Sequence, residues 1–393
     1  MLPLHFPPPI RTSDSDSFAR QTFQERLPKI IDGVLNQNDY PSSIRNNLLS
    51  LKAELNLPVR LTPLASSQPE SASWNAHLAT YPDKCWLDLP FYFAEAFFYR
   101  RLLEAVHYFV PGAWQGVDPF QNAKNAQVQK DIHHFESALE SLSSHSSEIQ
   151  CETLLHHCLW GNQVDLSNFS GDFEDPWHQA ISHDRLIINH SKEITRFLSN
   201  GVHSLAYILD NVGIELYFDL GLVDFLLAHT WVEQATIHLK NCPFFLSDAM
   251  PKDLLASVQL LKVSSFLPAA QVGQRLEEFI SSGRIQLKSD PLWTSGLTYM
   301  DAPAEIDRTL ANADLAIFKG DLNFRRLLGD YHWDSTTLLE DILIYLHVPV
   351  VVLRMLKSQI AAGLSTDQAN RLDETDPKWL INGKHGIIQL IPR

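Results

Sequence analysis

From about residue 200 onward the sequence alternates short apolar runs with amphipathic stretches, and this alternation restricts the possible folds more than any other feature. The runs occupy 204–210 (SLAYILD), 235–240 (ATIHLK), 284–290 (RIQLKSD), 314–321 (DLAIFKGD) and 348–355 (VPVVVLRM). Helix-like segments lie between several of them, at 215–229, 267–281 and 304–312. Strand then helix, repeated in this way, predicts a parallel sheet wrapped by helices. Open parallel sheets bind ligands just beyond the carboxyl ends of their strands. The polar residues that end these runs are therefore the place to look for chemistry.

The first half reads differently. Helical stretches fit 18–35, 42–55, 122–142 and 148–159, separated by loops rich in Ser, Pro and Gly. The apolar, aromatic segment 85–109 could form one long helix, with Pro90 near its first turn and Val110-Pro111-Gly112 as its stop. The expected organisation is a mainly helical region at 1–200 followed by an α/β domain at 201–393.

Composition narrows the partners. A formal charge of −15 argues against nucleic acid or an anionic membrane, since both demand clustered Lys and Arg. A small anionic substrate needs only a local positive site and stays open. The four cysteines form no CxxC pair, as expected of reduced thiols in the cytoplasm. The N-terminus has no signal-peptide pattern, and Val348 to Leu353 is far too short to span a bilayer. The expectation is a soluble, cytoplasmic protein. Oligomeric state has no signal in the sequence.

Two strand ends supply carboxylates. The first run ends in Asp210-Asn211, and the segment after the second ends in Ser247-Asp248. Two carboxylates and a carboxamide are oxygen ligands of the kind that suit Mg²⁺ or Mn²⁺. The fourth run leads into Asp321-Leu322-Asn323-Phe324-Arg325 and the last into Arg354-Met355-Leu356-Lys357. A cation with Lys and Arg beside it would suit phosphoryl transfer, where catalysis is mostly charge stabilisation and alignment. The same residues have a plainer reading: Asp210 and Asp248 as helix caps, Asp321 and Asn323 as turn residues.

Several segments carry a family resemblance. Leu209-Asp-Asn-Val-Gly-Ile-Glu215 with Asp219-Leu220 resembles the DNxGxE…DL motif of the damage-control phosphatases, formerly domain of unknown function 89. Similar to the subgroup of acidic-residue methyltransferase-like proteins are Lys240-Asn-Cys-Pro243 with Phe245 to Asp248, Lys319 to Arg325, and Trp379 to Gly386. In the first half Trp86 to Arg101, Asp118-Pro-Phe120 with Lys124, and Leu159 to Ser167 also match. The resemblance runs from about residue 85 to about 390, with its motifs in order. One departure is Met355, where the subgroup's RTxK motif has Thr.

The resemblance implies a Rossmann-like three-layer α/β/α domain beneath a helical N-terminal region. It also implies a metal-dependent phosphatase for small phosphorylated metabolites, fructose 1-phosphate and fructose 6-phosphate among them. Asp210, Asn211 and Asp248 match the metal ligands, for Mn²⁺ or Mg²⁺, with Ni²⁺ or Co²⁺ as further candidates. Asp321 to Arg325 and Lys357 match the contacts to the substrate phosphate. Asp210, Asp248 and Lys357 are the expected catalytic groups, the nucleophile being either a water on the ion or a carboxylate such as Asp210. Glu215 opens the helix after the first strand, where its charge meets the helix dipole or touches substrate. Glu95, Asn162 and Asp165 are further candidates for the pocket wall.

Two rival readings remain. A methyltransferase acting on carboxylates would use S-adenosylmethionine, but Asp210-Asn-Val-Gly-Ile-Glu215 is not a loop of closely spaced glycines. A non-catalytic protein could hold a phosphorylated metabolite with the same ion and cations. The pairs His133-His134 and His156-His157 make no two-His metal site, because helix neighbours point about 100° apart.

Overall fold

The computed structural model describes residues 6–161 and 185–393; Asn162 and Asp165 lie outside them. Among the described residues seven strands form one sheet: β1 (Leu186–Asn189), β2 (Val202–Ile208), β3 (Val232–His238), β4 (Ile285–Lys288), β5 (Leu315–Lys319), β6 (Val350–Met355) and β7 (Gly386–Ile391). Their order is β1-β7-β6-β5-β2-β3-β4. The five strands from β2 to β6 coincide with the apolar runs and pair in parallel. β7 runs antiparallel to β6, and β1 is parallel to β7. These two outer strands are additions to what the sequence led us to expect. β1 is four residues long and lies ahead of residue 200, within the stretch read as helical.

β2 sits between β3 and β5. The chain moves outward from β2 through β3 to β4, then returns to β5 on the opposite side of β2. The carboxyl ends of β2 and β5 are therefore neighbours whose connections leave in opposite directions, the switch point at which such sheets hold ligands.

Strand alternation divides the core into two layers. Ala206, Ile208, Ala316, Phe318, Val350 and Val352 join one cluster with Phe23, Ile31 and the aromatic helix Phe91–Ala105. Leu205, Tyr207, Ile317, Val351 and Leu353 face the other way, against the helices Gln121–Leu142, Ser147–Trp160 and Ile214–Ala228. The helical half of the sequence thus serves both faces of the sheet. The result is the expected three-layer α/β/α arrangement.

The aromatic segment is shorter as a helix than its composition suggested. Leu89, just ahead of Pro90, is extended (φ −100°, ψ 160°), as the proline ring demands of its predecessor. Pro90 becomes the N-cap, and Trp86–Asp88 forms a separate short turn. Within the helix Phe97 is fully buried, its ring 5.6 Å from Phe93, 5.7 Å from Trp86 and 6.0 Å from Trp74. Among the described residues no helix is long and apolar enough to cross a membrane. All four cysteines are free; Cys85 alone is half-buried, the other three buried.

Phe97→Ala should cost about 3–5 kcal/mol, the usual loss for a buried aromatic truncated to a cavity. A urea titration followed by circular dichroism would read this as a lower midpoint with little change in slope.

Candidate active site

β2 and the loop after β3 are stitched together where their polar ends meet. Asn211 pairs with Asp248 in an isolated antiparallel bridge. The Ala249 amide donates to the Asp210 carbonyl (2.8 Å), the Val212 amide to the Ser247 carbonyl (2.8 Å), and the Lys240 amide to the Ala249 carbonyl (3.0 Å). Phe245 and Leu246, immediately before, both adopt left-handed backbone (φ 44° and 68°). Neither is glycine, so each carries steric strain of about 1–2 kcal/mol. That loop aims Ser247 and Asp248 back at β2.

Two glycines allow close approaches at the site. Gly213 (φ 85°) lets the chain turn into the Ile214–Ala228 helix; a Cβ there would lie 2.8 Å from Asp131 Oδ2. Asp131 instead accepts the Ile214 amide at 2.9 Å, satisfying one free donor of the first turn. At Gly320 (φ 89°), on the exit from β5, a Cβ would fall 1.9 Å from Asp210 Oδ2. The β5 backbone is thereby pressed against the Asp210 carboxylate.

The electrostatics are lopsided. Asp210, Glu215 and Asp248 are all buried, with the buried lysines Lys319 and Lys240 nearest them. Burial, then the neighbouring Asp248 and Glu215 charges, hold the Asp210 carboxyl well above its ordinary range. Burial likewise pushes Asp248 up to about 6, against the opposing pull of Lys240 and Lys124. Glu215 goes the other way: burial would raise it, but the charge of Lys319, with which it forms an ion pair, keeps it below the usual value. Asp248 Oδ2 is buried 3.4 Å from Lys240 Nζ, yet it receives no hydrogen bond. Lys124 Nζ supports the Asp248 carbonyl from behind (2.9 Å) while pairing with Asp118 and Asp253 (3.1 Å each).

Among the described residues no three His, Cys, Asp or Glu side chains are grouped to hold a metal ion. The expected set is two carboxylates and a carboxamide. Asn211 Nδ2 donates to Asp210 Oδ2 (2.9 Å) and Glu215 Oε1 (3.0 Å), while its oxygen accepts from Ser247 Oγ (2.7 Å). A half-turn of that amide would exchange its donor for its oxygen. The orphaned Asp248 oxygen, the crowded Asp210 and the excess of buried negative charge all fit a hard cation bound through oxygen.

A cavity of about 460 Å³ opens over these groups, lined by Asp210, Asn211, Glu215 and Asp248 together with Asp321, Leu322, Arg325, Lys357 and Glu95. Asp321 Oδ1 is held by Arg354 Nε (2.7 Å), Ser358 Oγ (3.1 Å) and the Lys357 amide (3.3 Å). Lys357 Nζ has no hydrogen bond or ion pair among the described residues, a lysine free to take an anion. Arg325 is differently employed: its two-nitrogen grip closes on Asp330 (2.9 and 3.0 Å) and its remaining arm on Glu95 (2.7 Å). The bidentate phosphate contact that its chemistry suggests is therefore already filled.

Asn323 and Phe324 are fully buried and do not line the cavity. Asn323 Nδ2 donates to the Leu209 and Lys319 carbonyls (3.1 and 2.8 Å), tying the ends of β2 and β5 together. Phe324 lies 4.1 Å below the Arg354 guanidinium. Met355 lines the cavity with Leu159, Leu353 and Ile381, an apolar wall where the subgroup's motif has a hydroxyl. Sequence reasoning had assigned no role to Lys319, Ser247, Asn382 or Gly383, though each stands in or beside a motif it quoted. Phe18 and Arg26 also line the cavity, and nothing local in the sequence signals that.

The sequence profile of the damage-control phosphatase ARMT1-like domain matches residues 22–372. The chain belongs to that family, which is a family of phosphatases. Relatives named damage-control phosphatase ARMT1 include the Danio rerio protein, 28% identical over 426 residues covering 95% of this chain and 94% of its own. The Mus musculus protein is 28% identical over 97% of both chains, and the Homo sapiens protein 26% over 98% of both. A solved DUF89 family protein from Pyrococcus horikoshii aligns over 94% of this chain and 96% of its own, at 15% identity and a TM-score of 0.49.

Gly320→Ala should displace Asp210 and cost about 3 kcal/mol or more, because strain at positive φ adds to the collision. Thermal unfolding would show the loss, and Gly33→Ala, where a Cβ meets nothing within 4 Å, is the control that should stay within about 1 kcal/mol of the parent.

Proposed function

We propose that the chain is a divalent-cation-dependent phosphatase of small phosphorylated metabolites, sugar phosphates such as fructose 1-phosphate and fructose 6-phosphate being the substrates. The observation that carries this reading is the surplus of buried carboxylate at the sheet's switch point, with Lys357 on the same cavity making no side-chain hydrogen bond or ion pair among the described residues.

In this reading Asp210, Asn211 and Asp248 hold the ion, Mn²⁺ or Mg²⁺ by donor type, with Ni²⁺ and Co²⁺ as alternatives. The ion, when bound, supplies a Lewis acid that draws charge from the phosphoryl oxygens. Lys357 binds those oxygens and offsets the charge that grows on them as the ester bond breaks. Asp321, fixed through Oδ1, accepts a hydrogen bond from the substrate with its other oxygen. Glu215 and Lys319 keep each other charged and hold the floor of the cavity rigid. Lys124 and Lys240 position Asp248 from behind. Arg325 acts by holding Glu95 on the opposite wall. Leu322 packs at the cavity edge.

Hydrolysis of p-nitrophenyl phosphate, measured with Mg²⁺, Mn²⁺, Co²⁺ or Ni²⁺ and then with EDTA, tests the proposal. Activity should vanish with EDTA and return with metal. Asp248→Ala should lower kcat by about a thousandfold, and Lys357→Met should lower kcat/KM by about a hundredfold. Full activity in EDTA, or in the Asp248 variant, would refute it.

A further inference from the structure

Part of the cavity wall comes from the N-terminal helical segment, through Phe18 and Arg26. Phe18–Gln21 is one helical turn, and it runs into a five-residue π-turn, Thr22–Arg26, before the Leu27–Gln37 helix begins. The π-turn is closed by the Leu27 amide donating to the Thr22 carbonyl, five residues back. Its effect is geometric. In an uninterrupted α-helix, residues eight apart point about 80° apart, since each residue turns by about 100°. One residue absorbed in a wider turn removes most of that offset. Phe18 and Arg26, eight apart, accordingly line the same cavity.

Arg26 is about half exposed, and among the described residues its one ion pair is a distant one: Nη1 lies 3.6 Å from Glu95 Oε1. Glu95 is almost wholly buried, and its other oxygen is held by Arg325 at 2.7 Å. Glu95 Oε1 and the Arg26 fork therefore face the cavity as an acceptor and a set of donors side by side. Two rings stand with them on the lining, Phe18 and Phe245. Each is fixed from behind, Phe18 edge-on to Phe91 (6.0 Å) and Phe245 against Tyr99 (4.8 Å).

A carboxylate and a guanidinium beside fixed aromatic rings suit a polyol. Vicinal hydroxyls can donate to the carboxylate and accept from the guanidinium, while the C–H face of the carbon chain packs on a ring. We propose that Arg26, with Glu95, Phe18 and Phe245, forms the subsite that reads the sugar part of a sugar phosphate. Arg26 is the specificity-determining residue of that subsite. The inference rests on the phosphatase reading for the placement of the phosphate beside Lys357, and it adds the residues that recognise the remainder of the substrate.

The measured quantity is a discrimination ratio, kcat/KM for fructose 1-phosphate divided by kcat/KM for p-nitrophenyl phosphate, which has no hydroxyls. Arg26→Gln should lower this ratio about tenfold, mainly through a higher KM for the sugar ester. A ratio within twofold of the parent would overturn the assignment, because a purely structural role would depress both substrates alike. A calorimetric titration in EDTA gives a readout independent of turnover. The parent chain should bind fructose 1-phosphate more tightly than inorganic phosphate, and Arg26→Gln should erase most of that difference. If the parent binds the two equally, or the variant keeps the preference, the subsite is refuted. Failure to hydrolyse any phosphate ester with any metal would refute the phosphatase reading alone, leaving the titration to decide on Arg26.

Discussion

Negative charge held out of water at one point of the sheet is the constraint around which the rest is arranged. Asp210, Glu215 and Asp248 meet where β2 and β5 part company, in a region where burial penalises every charge. Lys319 answers Glu215, and Lys240 partly answers Asp248, but at Asp210 the repulsion from Asp248 and Glu215 outweighs the pull of Lys319 and Lys240. A fold meant only for stability would fill such a place with apolar side chains, which often costs less than a buried ionic cluster. The strained pair Phe245-Leu246 and the backbone crowding at Gly320 point the same way. Local strain is tolerated where the surrounding structure overdetermines it. Here that surrounding structure is a sheet buried on both faces.

The helical half is part of the same machine. Helix Phe91–Ala105 brings Glu95 to the cavity and is locked there by Arg325, which reaches from the helix after β5 and also lies 4.2 Å over the Phe91 ring. Helix Gln121–Leu142 sends Lys124 behind Asp248 and Asp131 beneath the helix that carries Glu215. Both ion-pair sets span the two halves of the chain, so a truncation at residue 200 would expose unpaired buried charges. The residues that match the family's motif between 321 and 325 divide their labour. Asp321 faces the cavity, Asn323 ties strands, Phe324 supports Arg354, and Arg325 holds the far wall.

Much of this was legible before any coordinates. The five parallel strands were visible because buried parallel strands are continuous apolar runs bounded by polar residues. Asp210, Asn211 and Asp248 stood out because they close the first run and the segment after the second, and the structure brings all three to the cavity with Glu215, Asp321 and Lys357. β1 and β7 were missed because a four-residue strand beside a helical stretch has too little pattern to register, and a single antiparallel strand between β1 and β6 leaves no distinct signature. Pro90 was seen near the start of the aromatic helix, but composition alone extended that helix too far at both ends.

The sequence by itself determined the layer order and the chemistry of the strand ends, because periodicity and the chemical nature of a side chain are local properties. Only the tertiary structure decided which of those groups are spent and which are free. Arg325 and Lys357 are both cations at strand ends, yet one is closed on Asp330 and Glu95 while the other has no partner among the described residues. Only the tertiary structure, too, brought Phe18 and Arg26 against a site built some 190 residues further along the chain. Burial and charge balance depend on neighbours far apart in sequence, and packing alone makes them neighbours.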